Sequence, residues 1–168
     1  MRMRMPLRSF LLLTLLLSLV VVAGCAALER KKEPYPAPEF SVSSITGEEY
    51  TFSQLKGKPL VLAIGATWCP HCMHEAPIFK KVYDRYEGRV EMMGVLMKSS
   101  QKDAEAFLKK NKLNFKIGLD PEGKVGKAYG VTGIPMIYFI NREGYIVDEV
   151  FGGIEEDDLV KKIEMLLK

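Results

Sequence analysis

The sequence predicts an α/β domain: a mixed central sheet with helices on both faces, opened by an N-terminal β-hairpin. Three observations carry this. Pro59-Leu-Val-Leu-Ala-Ile64 is a continuous apolar run, the mark of a strand covered on both faces. Helical apolar periodicity alternates with further strand-like runs along the chain. The last strands are joined by a short polar turn, as an antiparallel hairpin is.

The elements follow in order. Order is expected from near Glu39. Phe40–Ile45 and Glu49–Phe52 alternate around Thr46-Gly47, which reads as the hairpin. After the Pro59 strand comes a helix opening just past Cys69-Pro70, with Phe79, Val82, Tyr83 and Tyr86 on one face and Gly88 as its stop. Val90–Met97 is the next strand. Ser100-x-x-Asp103 caps a helix that turns Ala104, Phe107 and Leu108 inward. Phe115–Leu119 is a short strand, and Val125–Tyr129 one or two helical turns. Pro135–Ile140 and Tyr145–Val150 flank the turn at Asn141-Arg-Glu-Gly144; a proline is tolerated at the start of a strand. The final helix begins with four acids, Glu155 to Asp158, which suit the positive end of its dipole, and carries the stripe Leu159, Val160, Ile163, Leu166 and Leu167.

Length and composition allow one such domain. The chain has 168 residues, 48 % hydrophobic and 27 % charged. That is too apolar for a disordered chain, and it offers too few long apolar runs for a polytopic membrane protein. Of the 24 basic residues, Arg2, Arg4 and Arg8 precede residue 25, where no acid occurs; the remaining 21 match the 21 acids. The overall charge beyond residue 24 therefore gives no reason to expect a nucleic-acid partner.

Those three arginines precede an apolar stretch, Phe10–Ala23, in the arrangement of a secretory signal over residues 1–24. Val22-Ala-Gly-Cys25 resembles a bacterial lipobox. The resemblance implies that Cys25 becomes the first mature residue and carries a diacylglycerol anchor. An uncleaved signal anchor, and a secretory peptide with Cys25 incidental, are the other readings. All three place the domain outside the cytoplasm, on the outer face of the membrane or in a periplasm. Residues 25–38, charged and then proline-rich, read as an extended tether, and residues 39–168 as the domain.

The chemistry is concentrated in Trp68-Cys-Pro-His-Cys72, where a buried strand gives way to a helix. Two cysteines separated by two residues at a helix start can close a small disulfide ring. The unpaired N–H groups of the first helical turn favour the thiolate of the first cysteine. Pro70 suits the first helical position, and His71 adds a group that can be cationic. Both residues between the cysteines tune redox poise. Cys69 would attack a substrate disulfide; Cys72, expected to be the more buried, would then displace the substrate thiol and close Cys69–Cys72. Glu75, one turn on, could accept the Cys72 proton if burial raised its pKa; the alternative is an ordinary solvated glutamate. Trp68 reads as a packing and shielding residue, His74 as solvated, and the methionines as core filling.

Six segments, Ala37-Pro-Glu-Phe40, Leu55-Lys-Gly-Lys-Pro59, Ala66-Thr-Trp-Cys-Pro-His-Cys72, Glu75-Ala-Pro77, Tyr129–Pro135 and Asn141–Gly144, fall in an order similar to the thioredoxin-like TlpA/ResA proteins. These are membrane-tethered, extracytoplasmic thiol–disulfide oxidoreductases. The resemblance covers about 130 residues of one domain. It implies a thioredoxin fold, Cys69 as nucleophile, Cys72 as resolver, Glu75 as the active-site glutamate and a cis Ile134–Pro135 bond facing the sulfurs where substrate backbone docks. It implies no cofactor. It also implies exported cysteine-containing clients, apocytochrome c among them, and a membrane redox partner. The Pro-His pair, however, resembles the strongly oxidising DsbA proteins, and Met136 stands where thioredoxins often carry a small polar residue, so an oxidase is the alternative direction.

Other chemistries fit less well. Zinc needs four converging ligands, and Cys69, His71, Cys72 and His74 at one helix start cannot all converge. A c-type haem site fails because Met73 occupies the histidine place. A Cu(I) carrier would use the thiolates with Met73, Met136 or a histidine. A thiol peroxidase would need threonine where Ala66 stands.

Overall fold

The computed structural model describes residues 33–168, which form one compact unit. The apolar run, Cys25 and the first part of the tether lie outside the described residues. The elements are β1 (Tyr35–Pro36), β2 (Ser41–Ser44), β3 (Glu49–Thr51), α1 (Phe52–Leu55), β4 (Leu60–Gly65), α2 (Pro70–Tyr86), β5 (Glu91–Met97), α3 (Gln101–Asn111), β6 (Lys116–Asp120), α4 (Lys124–Ala128), β7 (Met136–Ile140), β8 (Tyr145–Phe151) and α5 (Glu156–Leu166). The strands form a single mixed sheet in the order β1-β8-β7-β4-β5-β6-β2-β3. β4 pairs parallel with β5 and antiparallel with β7.

β4 sits mid-sheet, and its apolar run serves both faces. Leu60, Leu62 and Ile64 enter one core with Phe40, Phe52, Val95 and Tyr138. Val61 enters the other, with Phe79, Val82, Ile137, Phe139, Leu159 and Ile163 from α2, β7 and α5. The helices run back from the C-terminal ends of β4 and β5, as a parallel crossover requires. They end where charge and conformation predict. Ser100 Oγ accepts the Asp103 N–H at 3.1 Å at the start of α3, and Lys112 at its end is left-handed (φ 52°). Ala104 is fully buried, with Phe107 and Leu108 packed beside it, as the sequence predicts.

Two boundaries differ from the sequence reading. Phe52 was expected to end a strand but opens α1. The Gln54 side chain takes the Thr51 N–H at 2.8 Å, which turns the backbone into a helix there. The ordered domain also begins before Glu39. Tyr35 and Pro36 pair with Ile146 and Tyr145, Ala37 is buried, and Tyr129 Oη donates to the Pro38 carbonyl at 2.9 Å. The alternating prolines that suggest a tether suit an edge strand equally well. The Ala37 N–H donates inward to Gly144 O at 2.9 Å, so Pro36 and Pro38 turn their donorless nitrogens to the open side. The edge then has no outward N–H at those positions to template another strand.

Candidate active site

Cys69 and Cys72 are joined by a disulfide, with Cα atoms 5.3 Å apart. Cys69 is the N-cap of α2 and Pro70 its first residue. The Cys72 N–H donates to Cys69 Sγ at 3.2 Å, so an otherwise orphaned donor of the first turn is directed at the first sulfur. The N–H donor thus lies against the first sulfur, where the spacing puts it. The expectation that Cys72 is the more covered is not met: Cys69 exposes 4 % of its surface and Cys72 9 %. Cys69, in the turn rather than in the helix, tucks against Ala66 and Ile134.

The turn carrying the pair is fastened to the neighbouring β5–α3 loop. Ser99, itself buried, accepts the Thr67 N–H at 3.1 Å and donates to Met97 O at 3.0 Å. Trp68 Nε1 donates to Lys98 O at 3.2 Å, and Lys98 adopts a left-handed φ of 47°. Trp68 is 59 % exposed, so it does not pack as the sequence suggests. Gly65 gives the second sulfur its room. A Cβ at that position would stand 2.9 Å from Cys72 Sγ.

The Ile134–Pro135 peptide bond is cis, and Ile134 packs against Ala66 and the two cysteines. The Pro135 carbonyl accepts the Gly152 N–H at 3.1 Å, which joins this loop to the end of β8. Met136 opens β7, opposite Phe151.

Glu75 is not solvated. It exposes 5 % of its surface, and its Oε1 accepts the Ile154 N–H at 2.5 Å. Burial pushes its pKa above the ordinary carboxylate value. The Ile154 N–H and the neighbouring His71 and His74 pull it back, and Glu155 adds to the rise. His71 and His74 are both exposed on the helix surface. Pro77, inside α2, has no N–H to give to the Met73 carbonyl. Among the described residues no group of three or more His, Cys, Asp or Glu side chains is placed to hold a metal ion.

The arrangement can open and reclose a disulfide, with a buried carboxylate one helical turn beyond Cys72. Ser99, Gly65, Gly153 and Ile154 are the site residues that sequence reasoning missed. Gly152-Gly153 after the last strand was the one visible signal, since paired glycines mark an unusual backbone.

Residues 35–149 match the AhpC/TSA family. The chain is 32 % identical over 157 residues to the thiol–disulfide oxidoreductase ResA of Bacillus subtilis, covering 91 % of this chain and 88 % of that one. Among solved structures, a putative thiol:disulfide interchange protein DsbE from Chlorobium tepidum superposes with a TM-score of 0.76 at 26 % identity, covering 82 % of this chain and 99 % of the other. The pneumococcal exposed lipoprotein thioredoxin Etrx1 of Streptococcus pneumoniae superposes with a TM-score of 0.66 at 26 % identity, covering 77 % and 100 %.

Proposed function

This chain belongs to the AhpC/TSA family and is a thiol–disulfide oxidoreductase of thioredoxin-like fold, and on that premise we propose that it works tethered to the outer face of a membrane, reducing disulfides in exported proteins. The observation that carries the reading is the Cys69–Cys72 disulfide at the start of α2, with the Cys72 N–H on Cys69 Sγ.

In the reducing direction the cycle starts from the dithiol. The Cys69 thiolate attacks one sulfur of the client disulfide, forming a mixed disulfide and releasing one client thiolate, which takes up a proton. Cys72 passes its proton to the Glu75 carboxylate and attacks Cys69 Sγ. The Cys69–client bond breaks as Cys69–Cys72 forms, and the departing client thiolate takes up the proton held by Glu75. The client gains two electrons and two protons; both electrons and the Cys72 proton come from the protein, and the other proton from solvent. A membrane dithiol donor then returns the pair to the reduced state. Pro135, on the loop facing the sulfurs, is where client backbone docks. Pro70 and His71 set the poise, and Trp68 shields the sulfur pair. The clients are cysteine-bearing exported proteins, apocytochrome c among them. The tether reading rests on Arg2, Arg4 and Arg8, the apolar run and the Cys25 motif, and the lipoprotein named above has the same fold.

A Cys72→Ser variant tests the cycle. It should accumulate mixed disulfides through Cys69 when exposed to oxidised client proteins, and dithiothreitol should release them. Absence of any adduct, with tight Cu(I) binding by the parent protein, would instead favour a metal carrier.

A further inference from the structure

Exposed cations occur at both ends of the strand axis, Lys98, Lys102 and Lys127 lying at the disulfide end. Within residues 33–168 the acids outnumber the bases, 20 to 18. Nevertheless the end opposite the disulfide gathers cations. Lys58, Arg89 and Arg142 line a concavity of about 340 Å³ formed by the segment before β4, the end of α2, the β7–β8 turn and Leu167. α3 runs back from the end of β5 to the start of β6, so its last turn brings Lys109, Lys110 and Lys112 to the same end. All six are exposed. Arg89, Arg142 and the three α3 lysines form no ion pair among the described residues. The carboxylates nearby are fewer. Glu91 is engaged by both Lys58 and Lys116, Asp84 by Lys80 and Asn114, and Glu164 by Tyr86, leaving Glu87 and Glu143. Cations at helix ends favour the helix dipoles. That effect does not account for Lys58 and Arg142, which lie on no helix, or for the concavity they share.

We propose that this end of the domain docks on the anionic surface of the bilayer to which the chain is tethered, through Lys58, Arg89, Arg142 and the last turn of α3, and so holds the Cys69–Cys72 pair facing away from the membrane. The inference rests on the tether reading above. A tether keeps the basic end at high effective concentration near the lipid, so modest attraction per cation suffices to orient the domain. β4 alone, Leu60–Gly65, separates the two ends by about 20 Å, roughly twice the Debye length at 0.1 M salt. The docked lipid charge would then orient the sulfurs without setting their chemistry. Oriented outward, they meet soluble exported clients, and the membrane donor must reach out to them.

The chain's single tryptophan reports on this directly, because Trp68 is exposed and immediately precedes Cys69 in the chain. Full-length protein is reconstituted on phosphatidylcholine vesicles, with or without phosphatidylglycerol, each containing a nitroxide-headgroup lipid. Flotation checks retention, and quenching of Trp68 emission reads its distance from the bilayer. Quenching is expected to be weaker on the phosphatidylglycerol vesicles. That protection should disappear in concentrated salt and in an Arg89→Glu/Arg142→Glu variant that turns over a small disulfide normally. A Lys109→Glu/Lys110→Glu variant should behave alike. Equal quenching on both vesicles, stronger quenching on the anionic ones, or protection unchanged in both variants would overturn the proposal. Loss of protection to inorganic phosphate at constant ionic strength would also overturn it, assigning the concavity to a soluble anion. Protein that fails to float with either vesicle would sink the tether reading itself, a distinct outcome.

Discussion

The Glu75 carboxylate accepts the backbone N–H of Ile154 at 2.5 Å, across 79 residues of chain. This contact fastens the loop between β8 and α5 onto the helix that carries the cysteines. Gly153 makes it possible. Its φ is +116°, and a Cβ there would stand 3.1 Å from Glu75 Oε1. A carboxylate held this way is desolvated yet keeps one donor, and burial raises its pKa, the direction that a proton acceptor for a thiol requires.

Glu75→Gln should therefore slow closure of the Cys69–Cys72 disulfide by tenfold or more near neutral pH, the usual scale of a lost general base being about 10²–10⁴. Stopped-flow exchange with a small disulfide from acid to alkaline pH checks this. The parent rate should carry an inflection that the glutamine variant lacks. Identical profiles would leave Glu75 a structural residue only.

The same group has a stability signature of definite sign. Burial raises the folded-state pKa of Glu75 above its unfolded value. The folded protein thus binds the proton more tightly, and stability falls as pH rises from the ordinary carboxylate range through the raised value. Glu91, Asp84 and Glu156 are shifted downward and act oppositely, losing stability as pH falls. Urea unfolding of oxidised parent and Glu75→Gln proteins over a pH series should show the parent losing stability relative to the variant across that window. A constant difference would contradict the assignment.

Gly65→Ala should crowd Cys72 Sγ in the oxidised form, where the sulfur is fixed by its bond to Cys69. The disulfide should become easier to reduce, by about 30 mV for each 1.4 kcal/mol of crowding. Gly153→Ala should act through the backbone instead, costing about 1–3 kcal/mol at a positive φ, with loss of the Glu75-dependent inflection. Redox titration and thermal melts of the two variants separate these effects.

Asp120 accepts the N–H groups of Lys124, Val125 and Gly126 at 2.7, 3.0 and 3.1 Å and is buried. Asp120→Ala should destabilise the domain by about 1–3 kcal/mol, measured by urea unfolding. It should leave the reduction potential unchanged, because Val125 of α4 packs in a different cluster from Cys69 and Cys72.

What could be read from residues alone follows from how local each signal is. The run Leu60–Ile64 and the stripe Phe79, Val82, Tyr83, Tyr86 declare their elements within a few residues, and all but the half-buried Ala63 and Tyr83 are buried. The cysteine pair with Pro70 is equally local. Glu75 could be singled out, but not its burial, because its partner Ile154 is brought near only by the tertiary fold. β1 reads as a spacer because a two-residue edge strand of alternating prolines looks like one; what orders it is Tyr129 Oη on Pro38 and the Gly144 carbonyl on Ala37. Trp68 reads as a packing residue because tryptophan usually buries its area, yet its N–H donates to the Lys98 carbonyl and its ring stays at the surface.

The most direct measurement is a redox titration of the protein in dithiothreitol or glutathione buffers, with thiols counted by a mass-shifting alkylator. Cys69 and Cys72 should convert together in one two-electron transition. A midpoint near about −270 mV would support the reducing direction, and one near about −120 mV an oxidase. Two thiols that never join, or that titrate independently of each other, would contradict the account at its root.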